Sequence, residues 1–386
     1  MNDKKNRTWI EVNLDNLIHN FMISQERAQF KPTMCIIKAD AYGQGAVAVA
    51  KALSGAGASY FGVATAEEAL QLRRHQITED ILLLGTTSPN NIEELIDADI
   101  TVTVSSEKVA ESFSLVQRNC NKKLKIHIKI DSGMGRQGIC LDHAVEQVLR
   151  ISEFSGFEVE GIYSHFAAAD DSLEDDFTKH QYESMLQIVR TVRNLGVNIP
   201  IFHISNSAGI ISQAYRDTDM VRPGIMLYGS NPCTDFPVDL KPVMSLKSRV
   251  SNIIHIKKGD TVGYGRNWKA DEDSVIAVLG IGYADGLMRN LSGKLSVLID
   301  GKRMPQVGRI CMDMCMIDVT NLKGIEIGDI VTIIGKDGDE ENTVDKVAEL
   351  SNTISYEILC AIGKRVPRIY LKDQQKIMDA CYIDLL

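Results

Sequence analysis

The residues with chemical potential fall in short glycine-bearing segments. Lys38 lies in Ile37-Lys38-Ala39-Asp40-Ala41-Tyr42-Gly43-Gln44-Gly45, at the end of a β-rich run. A lone lysine at a strand end is commonly a solvated rim residue; one in a shaped site is a nucleophile. Gly43 and Gly45 permit tight turns beside it. Arg136 lies in the run Lys129-Ile130-Asp131-Ser132-Gly133-Met134-Gly135-Arg136-Gln137-Gly138. Its planar fork suits a carboxylate or oxyanion. Pairing with Asp131 is the competing role.

Tyr163-Ser164-His165 and His203-Ile204-Ser205-Asn206-Ser207-Ala208-Gly209 end two further runs. Each histidine alone is more often a satisfied core residue than a catalyst. Two at one end of a sheet weaken that reading. Ser207 opens a helical pattern, where backbone N–H groups favour an anion. Val221-Arg222-Pro223-Gly224-Ile225 adds a cation and two amides. Downstream lie Gly263-Tyr264-Gly265-Arg266, Arg309-Ile310-Cys311-Met312-Asp313 and Tyr356-Glu357. A tyrosine between glycines is poorly explained by packing. Together these describe a phosphate cup, a nucleophilic lysine and an arginine, the inventory of a pyridoxal phosphate site.

The elements that position them follow two regimes. Up to about Gly229, short apolar runs alternate with helical patterns. The runs are 34–38, 60–65, 81–85, 100–104, 125–130, 158–164, 201–205 and 221–228. Near-continuous Val, Ile and Leu suits strands buried on both faces. The helical patterns are 46–53, 66–75, 91–97, 107–118, 142–151, 173–195 and 207–214. In the longest, Phe177, Met185, Ile188, Val189 and Val192 share one side, with Ser172 as the expected N-cap. Repeated strand–helix alternation within about 230 residues predicts an α/β, TIM-like (β/α)8 barrel rather than an open doubly wound sheet. Active sites of such barrels form at the C-terminal strand ends, and phosphate binds after strands seven and eight.

The second regime has period two: Met244, Leu246, Val250, Ile254 and Ile256 share a parity. Further strands are expected at 275–280, 295–299, 311–319 and 330–334, with Asp300-Gly301 as a hairpin turn and a helix at 343–351. The expected division is 1–235 for the barrel and 236–386 for a C-terminal mostly β domain.

Of 386 residues, 44% are apolar and 24% charged, ordinary for a globular chain and excluding extensive disorder. A net charge of −9 argues against nucleic acid or an anionic membrane as partner. No apolar run approaches the roughly 18 residues of a membrane span, and no apolar stretch follows the basic N-terminus. The eight cysteines form no C-x-x-C pair, so reduced core thiols are expected, with no metal site. A cytoplasmic location is expected.

With these motifs in view, the chain resembles alanine racemase, a fold-type III pyridoxal phosphate family, from Trp9 to Arg368. The resemblance implies that Lys38 carries the cofactor covalently and is one base. Tyr264 is the other, contributed by the second subunit of a homodimer with shared active sites. Arg222 faces the pyridine nitrogen. Tyr42, Ser207, Gly224, Ile225 and Tyr356 hold the phosphate. Arg136 and the Met312 backbone bind the substrate carboxylate, Met312 again from the partner. His165 and His203 orient Tyr264 and Arg222, His165 also counting among the cofactor-binding residues. Lys129 matches a lysine carbamylated in many members, and Tyr283 and Asp313 are expected in support. Asp40 and Gln44 depart from the family's usual Asn and His.

The implied activity is interconversion of L- and D-alanine by two bases, supplying D-alanine for peptidoglycan. Racemisation requires a proton to leave one face and arrive at the other, which two bases achieve without movement. Serine racemases resemble this chain but often carry Asn at the place of Tyr356, together with a membrane domain. A fold-type III decarboxylase needs no tyrosine base. A non-catalytic pyridoxal phosphate carrier resembles the barrel alone.

Overall fold

The computed structural model describes residues 6–233 and 235–380. Residues 1–5, with the basic N-terminus, and Cys381 lie outside the described residues. Two compact units form the chain. One comprises residues 17–41 and 46–240; the other comprises residues 6–16, Tyr42–Gly45 and residues 241–380.

The first unit is a curled parallel sheet with helices between its strands. Its strands Met34–Ile36, Tyr60–Val63, Asp80–Leu83, Thr101–Val104, Leu124–Asp131, Phe157–Tyr163 and Ile201–His203 pair in sequence order. The ring is completed by two parallel bridges, His203 to Met220 and Thr33 to Val221. The eighth strand, expected at 221–228, is therefore only a bridge pair. Pro223 has no N–H to donate, and the chain turns at Gly224 into a 3-10 helix over Ile225–Tyr228. Ile126, Ile128 and Ile130 are fully buried on one face of their strand, as a parallel sheet requires.

The longest helix spans Asp175–Asn194. Met185, Ile188, Val189 and Val192 are buried along it, whereas Phe177 in its first turn is exposed. Ser172 is not its cap. Asp171 accepts the Leu173 N–H and starts a 3-10 turn over Ser172–Glu174 that leads into the helix.

The second unit is a ten-stranded, mostly antiparallel sheet. Met244–Ile256 pairs with Thr8–Asn13, with Ser274–Leu279 and with Ile330–Asp337. A bulge between Val250 and Asn252 shifts the register, so Ile254, expected in line with Val250, is exposed. Asp300 and Gly301 both have positive φ in the two-residue turn joining Ser296–Ile299 to Lys302–Val307. Thr343 caps the helix Val344–Ser351 through the Lys346 N–H. The seven described cysteines form no disulfide. Cys35, Cys233 and Cys315 are buried, whereas Cys140 and Cys360 are exposed, so only some are core thiols. No helix among the described residues is long and apolar enough to cross a membrane.

Candidate active site

Strand register sets the centre of the barrel site. Lys129 pairs with Tyr163, and Tyr163 with His203, across three neighbouring strands. Their side chains form a row. The Tyr163 ring stacks on His203 at 4.8 Å between centroids, and the Lys129 Nζ lies 4.4 Å from the Tyr163 ring centre.

Arg222, almost wholly buried, is anchored on this row. Its Nη1 donates to His203 Nδ1 at 2.6 Å. Its Nη2 donates to the carbonyls of Ser164 (2.8 Å) and Ile204 (3.0 Å) and to His165 Nδ1 (3.1 Å). Burial pushes the guanidinium down to about 10. Burial, and then Arg222, hold His165 and His203 far below the ordinary histidine range. Lys129 is lowered well below an ordinary lysine by burial, then by Arg222 and Arg136, against a raising influence of Asp131. The barrel mouth is thus crowded with groups that repel further positive charge.

Asp131 does not pair with the Arg136 guanidinium. Its carboxylate accepts the backbone N–H groups of Gly133 (3.0 Å), Gly135 (3.1 Å) and Arg136 (3.0 Å). This folds the glycine loop around the carboxylate and leaves the Arg136 side chain exposed. Ser207 opens the helix Ser207–Ser212, capped by Asn206 through the Gly209 N–H. Its Oγ accepts the N–H groups of Gly224 (2.9 Å) and Met226 (3.4 Å), tying the two expected phosphate segments together. Ile225 is buried beside them.

Lys38, half-buried, lies two residues beyond the strand Met34–Ile36. It opens a helical turn, Lys38–Gly43, in which Ala39, Asp40, Ala41 and Tyr42 all have φ between 53° and 55°. Four consecutive non-glycine residues in the left-handed region are costly, at about 1–2 kcal/mol each. The turn is braced. Glu68 accepts the N–H groups of Ala39 and Ala64, both at 2.7 Å. Asp40, one of the two departures from the family pattern, accepts the Ala46 N–H at 2.8 Å, where the next helix begins.

In the β unit, Tyr42 is buried and Tyr356 is partly buried, with ring centroids 5.9 Å apart. Tyr264 is 70% exposed. Gly263 and Gly265 flank it with φ of 76° and 73°. A Cβ on Gly263 would meet Met316 at 2.9 Å, and one on Gly265 would meet the Arg309 guanidinium at 3.0 Å. Glycine is therefore needed to press this turn against its neighbours while presenting the phenol. Tyr283, Met312 and Met314 are exposed as well. The Tyr283 N–H donates to the Cys311 carbonyl and the Ala284 N–H to the Met312 carbonyl, both at 3.0 Å. Arg365 joins Asp313 to the fully buried Asp285 through two 2.7 Å contacts.

The structure thus joins Lys129, His165, His203 and Arg222 into one cluster and ties Ser207 to Gly224. Within the β unit it joins Tyr42 to Tyr356 and the loop of Tyr283 to that of Met312. His127 escaped sequence reasoning, and Tyr163, quoted there within its segment, was given no role. The signal for His127 was strand alternation, which puts it on the face of Lys129.

The donor set fits pyridoxal 5'-phosphate. Arg222 commits both Nη atoms to protein acceptors and its Nε–H to none among the described residues. Ser207 accepts two N–H groups and keeps a hydroxyl hydrogen to donate.

Two family models match the chain: the alanine racemase N-terminal domain over residues 12–232 and the alanine racemase C-terminal domain over residues 243–370. Alanine racemase 2 of Caldanaerobacter subterraneus is 42% identical over 96% of both chains. The alanine racemase of Methanococcus maripaludis is 40% identical over 94% of this chain and 98% of its own. Among solved structures, alanine racemase of Clostridium difficile superposes with a TM-score of 0.93 at 35% identity, covering 98% of this chain and 99% of the other. That of Bacillus anthracis with bound L-Ala-P gives 0.91 at 35% identity, over 98% and 99%. By sequence and by fold, the chain belongs to the alanine racemase family.

Proposed function

We propose that the chain interconverts L- and D-alanine with pyridoxal 5'-phosphate, using Lys38 and Tyr264 as bases on opposite faces of the substrate Cα. When bound, the cofactor supplies the electron-withdrawing ring that lets the Cα–H leave as a proton. Lys38 would hold it covalently, Ser207, Gly224 and Ile225 would receive its phosphate, and Arg222, aligned by His165 and His203, would donate to its ring nitrogen. Tyr42 and Tyr356 are proposed as further phosphate ligands. Arg136 would bind the alanine carboxylate, helped by the Met312 backbone. Lys129, lowered well below the ordinary lysine range by burial and then by Arg222 and Arg136, is suited to form a carbamate from its neutral amine and CO2, releasing one proton and cancelling local positive charge.

The observation that carries the reading is the placement of Tyr264. A phenol this exposed, on a turn that only glycines can shape, suits a group serving a second copy of the chain. We therefore propose a cytoplasmic homodimer in which Tyr264 and Met312 of one subunit complete the site of the other, with Tyr283 and Asp313 supporting the loops involved. A division of labour between a barrel and a β domain is part of this proposal, with the expected bounds of 1–235 and 236–386 amended because residues 6–16 and Tyr42–Gly45 group with the β unit and the barrel unit runs to residue 240; so is a role in supplying D-alanine for peptidoglycan. Tyr356 favours alanine over serine, because its phenol takes space that a larger substrate needs.

Incubation of the cofactor-loaded protein with L-alanine in D2O is the test. The expected product is D-alanine bearing deuterium at Cα. Release of CO2 would indicate a decarboxylase, and an unchanged substrate a carrier.

A further inference from the structure

His127 is fully buried in the barrel and lies on the strand Leu124–Asp131, two residues before Lys129 and on the same face. Its Nδ1 is 2.8 Å from His203 Nε2, and His203 Nδ1 is 2.6 Å from Arg222 Nη1. The proton positions in this chain follow from chemistry. A guanidinium only donates, so His203 Nδ1 must present its lone pair. Burial and Arg222 keep His203 neutral, so its single ring proton sits on Nε2. That proton is donated to His127 Nδ1. His127 is itself neutral, pushed down to about 3 by burial and then by Arg222. Its own proton must then lie on Nε2, an atom with no hydrogen-bond partner among the described residues.

A core ring that leaves an N–H unpaired is a poor choice for packing alone. The fold nonetheless makes room for it. His127 pairs in register with Gly161, and a Cβ there would come within 2.7 Å of the imidazole. The benefit lies at the other end of the chain of bonds. The acceptors of Arg222 include two backbone carbonyls, which cannot change character. His203 can. Arg222 already favours the Nε2–H form, but without an acceptor at Nε2 that proton would be buried and unpaired, which offsets the preference and favours the Nδ1–H form, in which the 2.6 Å bond to the guanidinium is lost.

We infer that His127 is a positioning residue: it fixes His203 as the Nε2–H tautomer and, through it, the alignment of Arg222. The inference rests on the reading in which Arg222 acts on the cofactor ring. It goes beyond that reading by extending the arginine's support to a second histidine.

The test uses the full chain labelled with 15N-histidine, with and without pyridoxal 5'-phosphate, and compares His127→Leu with His127→Asn. Asn offers a side-chain oxygen acceptor in place of Nδ1, whereas Leu fills the space and offers none. In the wild type, long-range 1H–15N correlations should show both His127 and His203 protonated at Nε2 alone. In H127L, His203 should gain Nδ1–H character, racemisation should fall roughly tenfold, and transamination per turnover should rise. H127N should keep the wild-type tautomer and most of the rate. An H127L protein with the wild-type His203 tautomer and the wild-type ratio of racemisation to transamination overturns the inference. If H127L does not fold, Gly161→Ala crowds the ring while retaining it. A shifted His203 tautomer is then expected, and an unshifted one overturns the inference. The NMR signature in cofactor-free protein does not depend on activity, so failure of the wild type to racemise alanine would refute the functional reading separately.

Discussion

The Asp131 carboxylate accepts the backbone N–H of Arg136 at 3.0 Å and leaves the guanidinium of the same residue unpaired by it. Two more N–H groups, of Gly133 and Gly135, converge on the same carboxylate. Burial, the largest single influence, raises its pKa, but the combined N–H donors of Gly133, Gly135, Arg136 and Met134 outweigh it and hold it below the ordinary aspartate value. Asp131→Ala should free the glycine loop and scatter Arg136. The expected effect is a KM for alanine raised by about tenfold, with a smaller change in kcat. Steady-state kinetics check this. An unchanged KM would mean that the loop does not position Arg136 for its proposed role in binding the substrate carboxylate.

Ser207 is the hinge between two backbone segments. Its Oγ receives the Gly224 and Met226 N–H groups, which would be left buried and unpaired in Ser207→Ala. That variant should lose about 1–2 kcal/mol of stability. It should also bind pyridoxal 5'-phosphate about tenfold more weakly, since the amides and the hydroxyl are both disturbed. Absorbance titration of the cofactor-free protein gives the affinity, and urea unfolding gives the stability.

In its proposed role Arg222 would donate a hydrogen bond to the cofactor's ring nitrogen, but it could not share a proton with it. The ring would then be a restrained electron sink, which suits proton exchange at Cα without onward chemistry. Arg222→Glu supplies a group that can share a proton. Racemisation should fall, and pyruvate formed from alanine per turnover should rise. Equal pyruvate from variant and wild type would contradict this role.

Much of the architecture was legible because burial imposes periodicity. The apolar runs of the barrel and the helix stripe Met185–Ile188–Val189–Val192 follow directly from side-chain spacing. The misses have specific causes. Lys302–Val307 forms a strand despite Pro305, whose presence argues against a strand. The left-handed turn after Lys38 is invisible to propensity, because Ala39, Asp40, Ala41 and Tyr42 carry no glycine-like signal. It is held by Glu68, distant in sequence. The site motifs stood out where glycine interrupts a strand end. His127 did not, since an alternating residue inside a strand looks like any other, and its partner His203 is 76 residues away.

The buried histidines also set an acid limit on stability. His127 is pushed down to about 3, and His165 and His203 well below the ordinary value. In the unfolded chain histidine titrates near 6.5. Below that pH the unfolded state binds protons that the folded state refuses, so stability falls with pH. The histidine contribution is complete above about 6.5 and is lost downward, for His127 toward about 3. Each histidine adds up to about 1.4 kcal/mol per pH unit to the slope. Urea unfolding between about pH 4.5 and 7.5 should show this slope, and His127→Leu should make it shallower. Identical slopes would show that His127 takes up a proton in the folded state.

A site completed by a second chain is most directly tested by subunit mixing. Lys38→Ala and Tyr264→Phe should each be nearly inactive as homodimers. Dissociated and reassociated in equal amounts, half of the dimers are mixed, and each of these holds one site with both native bases and one with neither. The account predicts recovery of about a quarter of wild-type racemase activity. Mixed dimers that form, as counted by native mass spectrometry, yet show no recovered activity would contradict it.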